Sequence, residues 1–83
     1  MSAKQAAIMA IYGQVNAPDW ATPNLDALAD VLRDLSWLPE RGVEITLPDL
    51  ADLDADDQHA LLGVLRRVST ETSLSPRPVR IHL

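Results

Sequence analysis

Carboxylates are the groups in this sequence with the most evident chemical potential, and they are concentrated in one part of the chain. Residues 19–57 contain eleven acidic side chains and two arginines, whereas the whole chain has twelve acidic and seven basic residues and a net charge of −5. Carboxylates can act in acid–base catalysis, hold a cation or bind a basic partner. The negative net charge argues against nucleic acid as a direct ligand, because phosphate binding requires a basic surface.

A metal site or a catalytic centre would need residue spacings that this sequence lacks. The aspartates of residues 49–57 suggest calcium, but an EF-hand loop also needs a glycine at its sixth position and a closing glutamate. His59 and His82 are not spaced with a serine or carboxylate as in a catalytic triad. The three glycines are isolated, and there is no cysteine. We therefore expect no enzymatic activity, no metal site and no cofactor.

The most regularly spaced acidic residues lie on a predicted helix that ends near Leu35. Thr22, followed by Pro23, predicts its start, and Asn24 is the alternative cap. The apolar stripe of this helix consists of Leu25, Leu28, Leu32 and Leu35. A second face carries Asp26, Asp30, Arg33 and Asp34. Asp30 has a like charge four residues away on each side, which costs on the order of a few tenths of a kcal/mol per pair and favours a role other than stabilising the helix.

Periodicity predicts two further helices. Ser2 can cap a helix through residues 3–15, whose apolar stripe consists of Ala7, Ile8, Ile11 and Val15. A strand over Ala7–Tyr12 is the alternative, although its alanines are poor strand residues. Asp54 can cap a helix from Ala55 to about Val68, in which Arg66 and Arg67 would complement the helix dipole. A short helix at Leu50–Leu53 is an option within the acidic turn before it.

Alternating residues predict two strands, Val43–Leu47 and Val79–Leu83. Because helical sequence separates them, we expect the strands to be parallel. Clean alternation means that one sheet face is covered, which predicts an α/β fold of two layers in a single domain, residues 1–83. No apolar run is long enough for a signal peptide or a membrane span, so we expect a cytoplasmic protein with no membrane contact.

The run Asn24-Leu25-Asp26-Ala27-Leu28-Ala29-Asp30-Val31-Leu32, with Pro18, Asp19 and Trp20 before it, resembles the barstar family of ribonuclease inhibitors. The order of the elements that follow is also similar. The resemblance implies a cytoplasmic inhibitor that blocks a basic extracellular or toxin ribonuclease with an acidic helix and the loop before it. We expect the chain to be a monomer rather than a homodimer. The resemblance implies four site residues, Trp20, Asn24, Asp26 and Asp30, with Asp30 as the central carboxylate. Asp34, on the same face of the helix, and Trp37, which follows the helix, are two further candidates for partner binding. For Trp37, a place in the core is an equal alternative.

The chain departs from the family pattern at several points. Ala21 and Thr22 stand where the family commonly has an aromatic residue and a glycine, and Thr22 cannot easily adopt a positive φ, so we expect a different loop path. Arg67 stands where the best-known member has an acidic residue. The family pattern begins with a strand before its first helix, but here residues 7–17 match that helix and too few residues precede them for a strand. We therefore expect a sheet of two strands. The alternative is that Ala7–Tyr12 is the first strand and that the first helix is missing. The alternative function is a non-inhibitory interaction or regulatory domain on the same scaffold.

Overall fold

The part of the chain that the structure describes contains three helices and two strands, in the order helix, helix, strand, helix, strand. Their bounds are α1 (Ala3–Val15), α2 (Leu25–Asp34), β1 (Val43–Thr46), α3 (Ala55–Thr72) and β2 (Val79–His82). The computed structural model describes residues 2–38 and 42–82 of the chain. The predicted α/β class and the predicted order of the elements are confirmed.

Helix α1 begins at Ser2 because a reciprocal pair of hydrogen bonds satisfies its first free amides. The Ser2 hydroxyl accepts from the Gln5 N–H at 3.1 Å, and the Gln5 side chain accepts from the Ser2 N–H at 3.0 Å. The predicted apolar stripe is buried, and Tyr12 is buried beside it. Residues 7–12 are therefore helical, and the alternative of a strand there is wrong.

Helix α2 begins two residues later than the prediction from Thr22 and Pro23 placed it. Asn24, not Thr22, is the cap: its side-chain oxygen accepts from the Ala27 N–H at 2.8 Å. The prediction of Pro23 at the first helical position is therefore wrong. The Thr22 hydroxyl instead accepts from the Asn24 side-chain amide at 2.9 Å. The helix ends at Asp34, followed by Leu35 in the left-handed conformation with φ of 47°.

The two strands form a parallel sheet, as predicted. Val43 lies opposite Val79, and Glu44 lies opposite Arg80. Ile45 and Val79 are buried on the side covered by the helices, whereas Glu44 and Arg80 are exposed on the other side. This alternation gives the expected two layers. Strand β1 ends one residue earlier than predicted, and the predicted end of β2 at Leu83 lies outside the described residues.

Helix α3 is one turn longer than predicted. It begins after Asp54, whose carboxylate accepts from the Asp57 N–H at 2.7 Å, and it continues to Thr72. The Thr72 hydroxyl donates to the Val68 carbonyl at 2.8 Å and accepts from the Val79 N–H at 2.9 Å, so the extra turn is tied to the start of β2. Arg66 and Arg67 therefore do not lie in the last turn, and the prediction that they complement the dipole there is wrong.

The acidic turn before α3 contains no short helix over Leu50–Leu53. The Gln58 side-chain amide donates to the carbonyls of Leu50 and Leu53, both at 3.0 Å. The Leu53 N–H also donates to the Leu50 carbonyl at 3.0 Å, so the segment forms one hydrogen-bonded turn that does not continue as a helix. No helix in the described parts of the chain is long and apolar enough to cross a membrane.

Candidate functional site

The exposed side of α2 carries three aspartates, Asp26, Asp30 and Asp34, which we call the acidic stripe. All three are exposed, and the side chain of Asp30 is 75 % exposed. The opposite side of α2 is buried against the core through Leu28, Val31, Leu32 and neighbouring residues. Because the buried side fixes the rotation of the helix about its axis, the carboxylates are presented outward on a rigid element.

The acidic stripe does little for the stability of α2 itself. Asp26 lies in the first turn, where the helix dipole favours a negative charge, but Asp34 is the last helical residue, where the dipole disfavours one. Asp30 lies between them and is four residues from each, so both pairs repel. Its nearest described cation is Arg33, at 3.9 Å from Arg33 Nη1 to Asp30 Oδ1, which is too long for a hydrogen bond.

Arg33 joins α2 to α3 through Glu71. Arg33 Nε donates to Glu71 Oε2 at 2.7 Å, and Arg33 Nη2 donates to Glu71 Oε1 at 3.3 Å. These two contacts engage both carboxylate oxygens at once. The hydrogen bond with Arg33 and the charge of Arg33 lower the pKa of Glu71. In return, the hydrogen bond with Glu71 and its negative charge raise the pKa of Arg33.

The loop before α2 is anchored to α1 and presents an exposed indole. The Tyr12 hydroxyl donates to the Thr22 carbonyl at 2.7 Å, and burial raises the pKa of this phenol. Trp20 lies in the anchored loop and is 61 % exposed. Among the described residues other than glycine, positive φ angles occur at Asn16 and Leu35. Thr22 therefore does not have the positive φ that a glycine at this position would permit.

Asn24 and Trp37 both use their polar atoms within the chain. The Asn24 side chain caps α2 and donates to Thr22, as described above. The Trp37 indole N–H donates to the Val15 carbonyl at 2.9 Å, and the half-buried ring packs against the core. The structure thus gives Trp37 a structural role at the end of α1. A role of either residue in binding a partner stays a prediction.

Two contacts that shape this surface could not be found from sequence spacing. Glu71 is 38 residues from Arg33 and Tyr12 is ten residues from Thr22, so no helical or strand period relates either pair. The position of Arg33 on the charged face of α2 was visible in the sequence, but its partner was not. Within residues 2–38 and 42–82, no three His, Asp or Glu side chains are grouped closely enough to hold a metal ion.

A family model described as Barstar (barnase inhibitor) matches residues 1–83, the whole chain. Neither the curated proteins nor the solved structures gave a match. The family match agrees with the resemblance seen in the Asn24–Leu32 run.

Proposed function

Because the chain belongs to the barstar family of ribonuclease inhibitors, we propose that it binds and blocks a basic microbial ribonuclease or nuclease toxin through α2 and the loop before it. The acidic stripe is the observation that supports this most directly. It places three exposed carboxylates on one side of a helix whose other side is fixed in the core. The same residues contribute little to folding, so binding is the better explanation for their presence.

The physical basis of inhibition is the chemistry of the target. A ribonuclease active site is basic because it binds phosphates, so it carries Arg, Lys and His side chains. Carboxylates on a rigid helix can occupy the phosphate positions and form charge-assisted hydrogen bonds with those side chains. Such a helix blocks the substrate without performing any reaction. Rigidity also matters, because less side-chain and loop entropy is lost on binding when the surface is already ordered.

The proposed binding residues have different parts in this interface. Asp30, the most central and 75 % exposed, is assigned the main ion pair, with Asp26 and Asp34 above and below it. Trp20 supplies apolar area beside the stripe, since it is 61 % exposed in an anchored loop. Asn24 holds the first turn of α2 in place. Trp37 lies after the helix, where it supports the surface through its contact with Val15.

The proposal extends to the setting in which the chain acts. We propose that the whole chain is one inhibitory domain, that it is a monomer, and that it protects the cytoplasm of the cell that makes the nuclease. It needs no cofactor, no direct nucleic-acid contact and no membrane contact for this function. Its net charge of −5 favours rapid encounter with a basic protein at low salt.

Inhibition of barnase, the nuclease that the family description names, tests the proposal. Ribonuclease activity is titrated with the parent chain, with Asp30→Asn and with Asp52→Asn. Asp52 is exposed in the turn before α3, so its variant removes the same charge away from the stripe. Loss of a fully desolvated ion pair costs about 3 kcal/mol, so Asp30→Asn should weaken inhibition by about 100-fold. Asp52→Asn should weaken it less than threefold.

Two results would contradict the proposal. Equal effects of the two substitutions would mean that net charge, not the acidic stripe, drives binding. If neither barnase nor the secreted ribonucleases of the organism that makes the chain are inhibited by excess chain, the alternative is favoured, a non-inhibitory interaction domain on the same scaffold.

A further inference from the structure

The Arg33 guanidinium lies between the carboxylates of Asp30 and Glu71 and is hydrogen-bonded only to that of Glu71. Its guanidinium makes two hydrogen bonds with Glu71, at 2.7 and 3.3 Å. Its third nitrogen, Nη1, is 3.9 Å from Asp30 Oδ1. Arg33 is three residues after Asp30 on α2, a spacing at which an arginine and an aspartate readily pair on a helix surface.

The two hydrogen bonds with Glu71 therefore hold the positively charged guanidinium of Arg33 next to α3. A guanidinium that pairs with both oxygens of one carboxylate is fixed in direction, because its nitrogens form a rigid planar fork. With Arg33 fixed in this way, Asp30 is 75 % exposed and has no hydrogen-bond partner among the described residues. Its carboxylate is available to a cation from outside.

We infer that Glu71 is a positioning residue for the acidic stripe: by holding the Arg33 guanidinium against α3, it keeps Arg33 from forming a hydrogen-bonded pair with Asp30. Glu71 acts through Arg33 and needs no contact with a partner. Without Glu71, the guanidinium is free to form the pair with Asp30 that the helical spacing allows. A basic nuclease would then have to break this pair before it could bind Asp30. The consequence for binding rests on the proposed function, whereas the position of Arg33 does not.

Three variants test the consequence for binding, with barnase as the probe. Glu71→Ala should weaken inhibition by about two- to fivefold, the range expected for competition from an exposed ion pair. Adding Arg33→Gln to Glu71→Ala should restore inhibition to the parent level or better. Adding Arg67→Gln instead is the matched control. Arg67 acts electrostatically on Glu71, and its removal restores the same net charge while leaving Arg33 in place. This control should not restore inhibition.

A second measurement tests the position of Arg33 without any nuclease. The NMR signal of the Arg33 Nε–H group reports the partner of that group. In the parent chain, Asp30→Asn should leave this signal nearly unchanged, because Nε donates to Glu71. In the Glu71→Ala background, Asp30→Asn should shift it clearly, because Arg33 then pairs with Asp30.

The outcomes separate the inference from the proposed function. If the Arg33 signal in the Glu71→Ala background does not respond to Asp30→Asn, the inference is wrong whatever barnase does. If inhibition is restored equally by Arg33→Gln and Arg67→Gln, the effect is one of net charge, and the inference is also wrong. If the parent chain does not inhibit barnase but the NMR response is as expected, Glu71 positions Arg33 as inferred, and only the nuclease proposal fails.

Discussion

The two tryptophans, Trp20 and Trp37, differ in exposure and in hydrogen bonding. Trp20 is 61 % exposed, whereas Trp37 is half-buried and donates its indole N–H to Val15. An exposed indole adds little to the free energy of folding, but it can bury a large apolar area when a partner covers it. A half-buried, hydrogen-bonded indole already contributes to the fold.

The two tryptophans should therefore separate binding from stability. Trp20→Ala should change the free energy of unfolding by less than about 0.5 kcal/mol and weaken barnase inhibition by about tenfold. Trp37→Ala should lower the free energy of unfolding by about 2 kcal/mol, through the lost packing and the unpaired Val15 carbonyl. Urea unfolding and the inhibition assay measure both quantities. A Trp20→Ala variant that unfolds easily but inhibits normally would contradict the assignment.

At the scale of the element, the start of α2 depends on Asn24. Asn24→Ala removes the cap and should cost about 1 kcal/mol in urea unfolding. Asn24→Asp keeps a side-chain oxygen that can accept from the Ala27 N–H, so it should retain nearly all of the stability. If Asn24→Asp were as destabilising as Asn24→Ala, the bond from the Asn24 amide to Thr22 would be the more important one.

The link between α2 and α3 should depend on pH. Pairing with Arg33 lowers the pKa of Glu71 below the ordinary glutamate value of about 4.3 in the folded chain. The stabilisation is therefore present above that ordinary value and is lost as the pH falls through the lower pKa of the folded state. The difference in unfolding free energy between the parent and Glu71→Gln should be constant near neutral pH and shrink below about pH 4. A difference that grows as the pH falls would contradict this pairing.

The elements were predictable from the sequence as far as local interactions set them. The bounds of α1 follow from the Ser2–Gln5 pair and an apolar stripe, both of which can be read within a few residues. The exposed position of the acidic stripe follows from helical periodicity. The last turn of α3 depends on the hydrogen bond between Thr72 and Val79, and the position of the Arg33 guanidinium depends on its hydrogen bonds with Glu71. Neither contact is local, so neither could be predicted.

On the scale of the whole molecule, the outer edge of β1 bears on self-association. The parallel register directs the N–H and C=O of Thr46 away from β2. The Gln14 side chain donates to the Thr46 carbonyl and accepts from its N–H, both at 2.8 Å. One side-chain amide from α1 thus covers part of an edge that could otherwise pair with a strand of a second copy.

Gln14→Ala should therefore make the chain less stable and more prone to self-association. The loss of two hydrogen bonds should lower the free energy of unfolding by about 1–2 kcal/mol. Size-exclusion chromatography with light scattering should show a concentration-dependent dimer for Gln14→Ala. Met9→Ala, a substitution at an exposed position of the same helix, should leave the oligomeric state of the parent chain unchanged. A monomeric Gln14→Ala variant would show that Gln14 only holds α1 against β1.

The most direct test of the central claim is a capture experiment with the natural target. The purified chain is immobilised, the secreted proteins of the organism that makes it are applied at low salt, and bound protein is eluted with a salt step. We expect ribonuclease activity to be retained on the column at low salt, to be released by the salt step and to be inhibited when free chain is added back. Binding through exposed carboxylates must weaken as salt screens them. Secreted ribonuclease that passes through the column unretained, or a bound nuclease that salt does not release, would contradict the account.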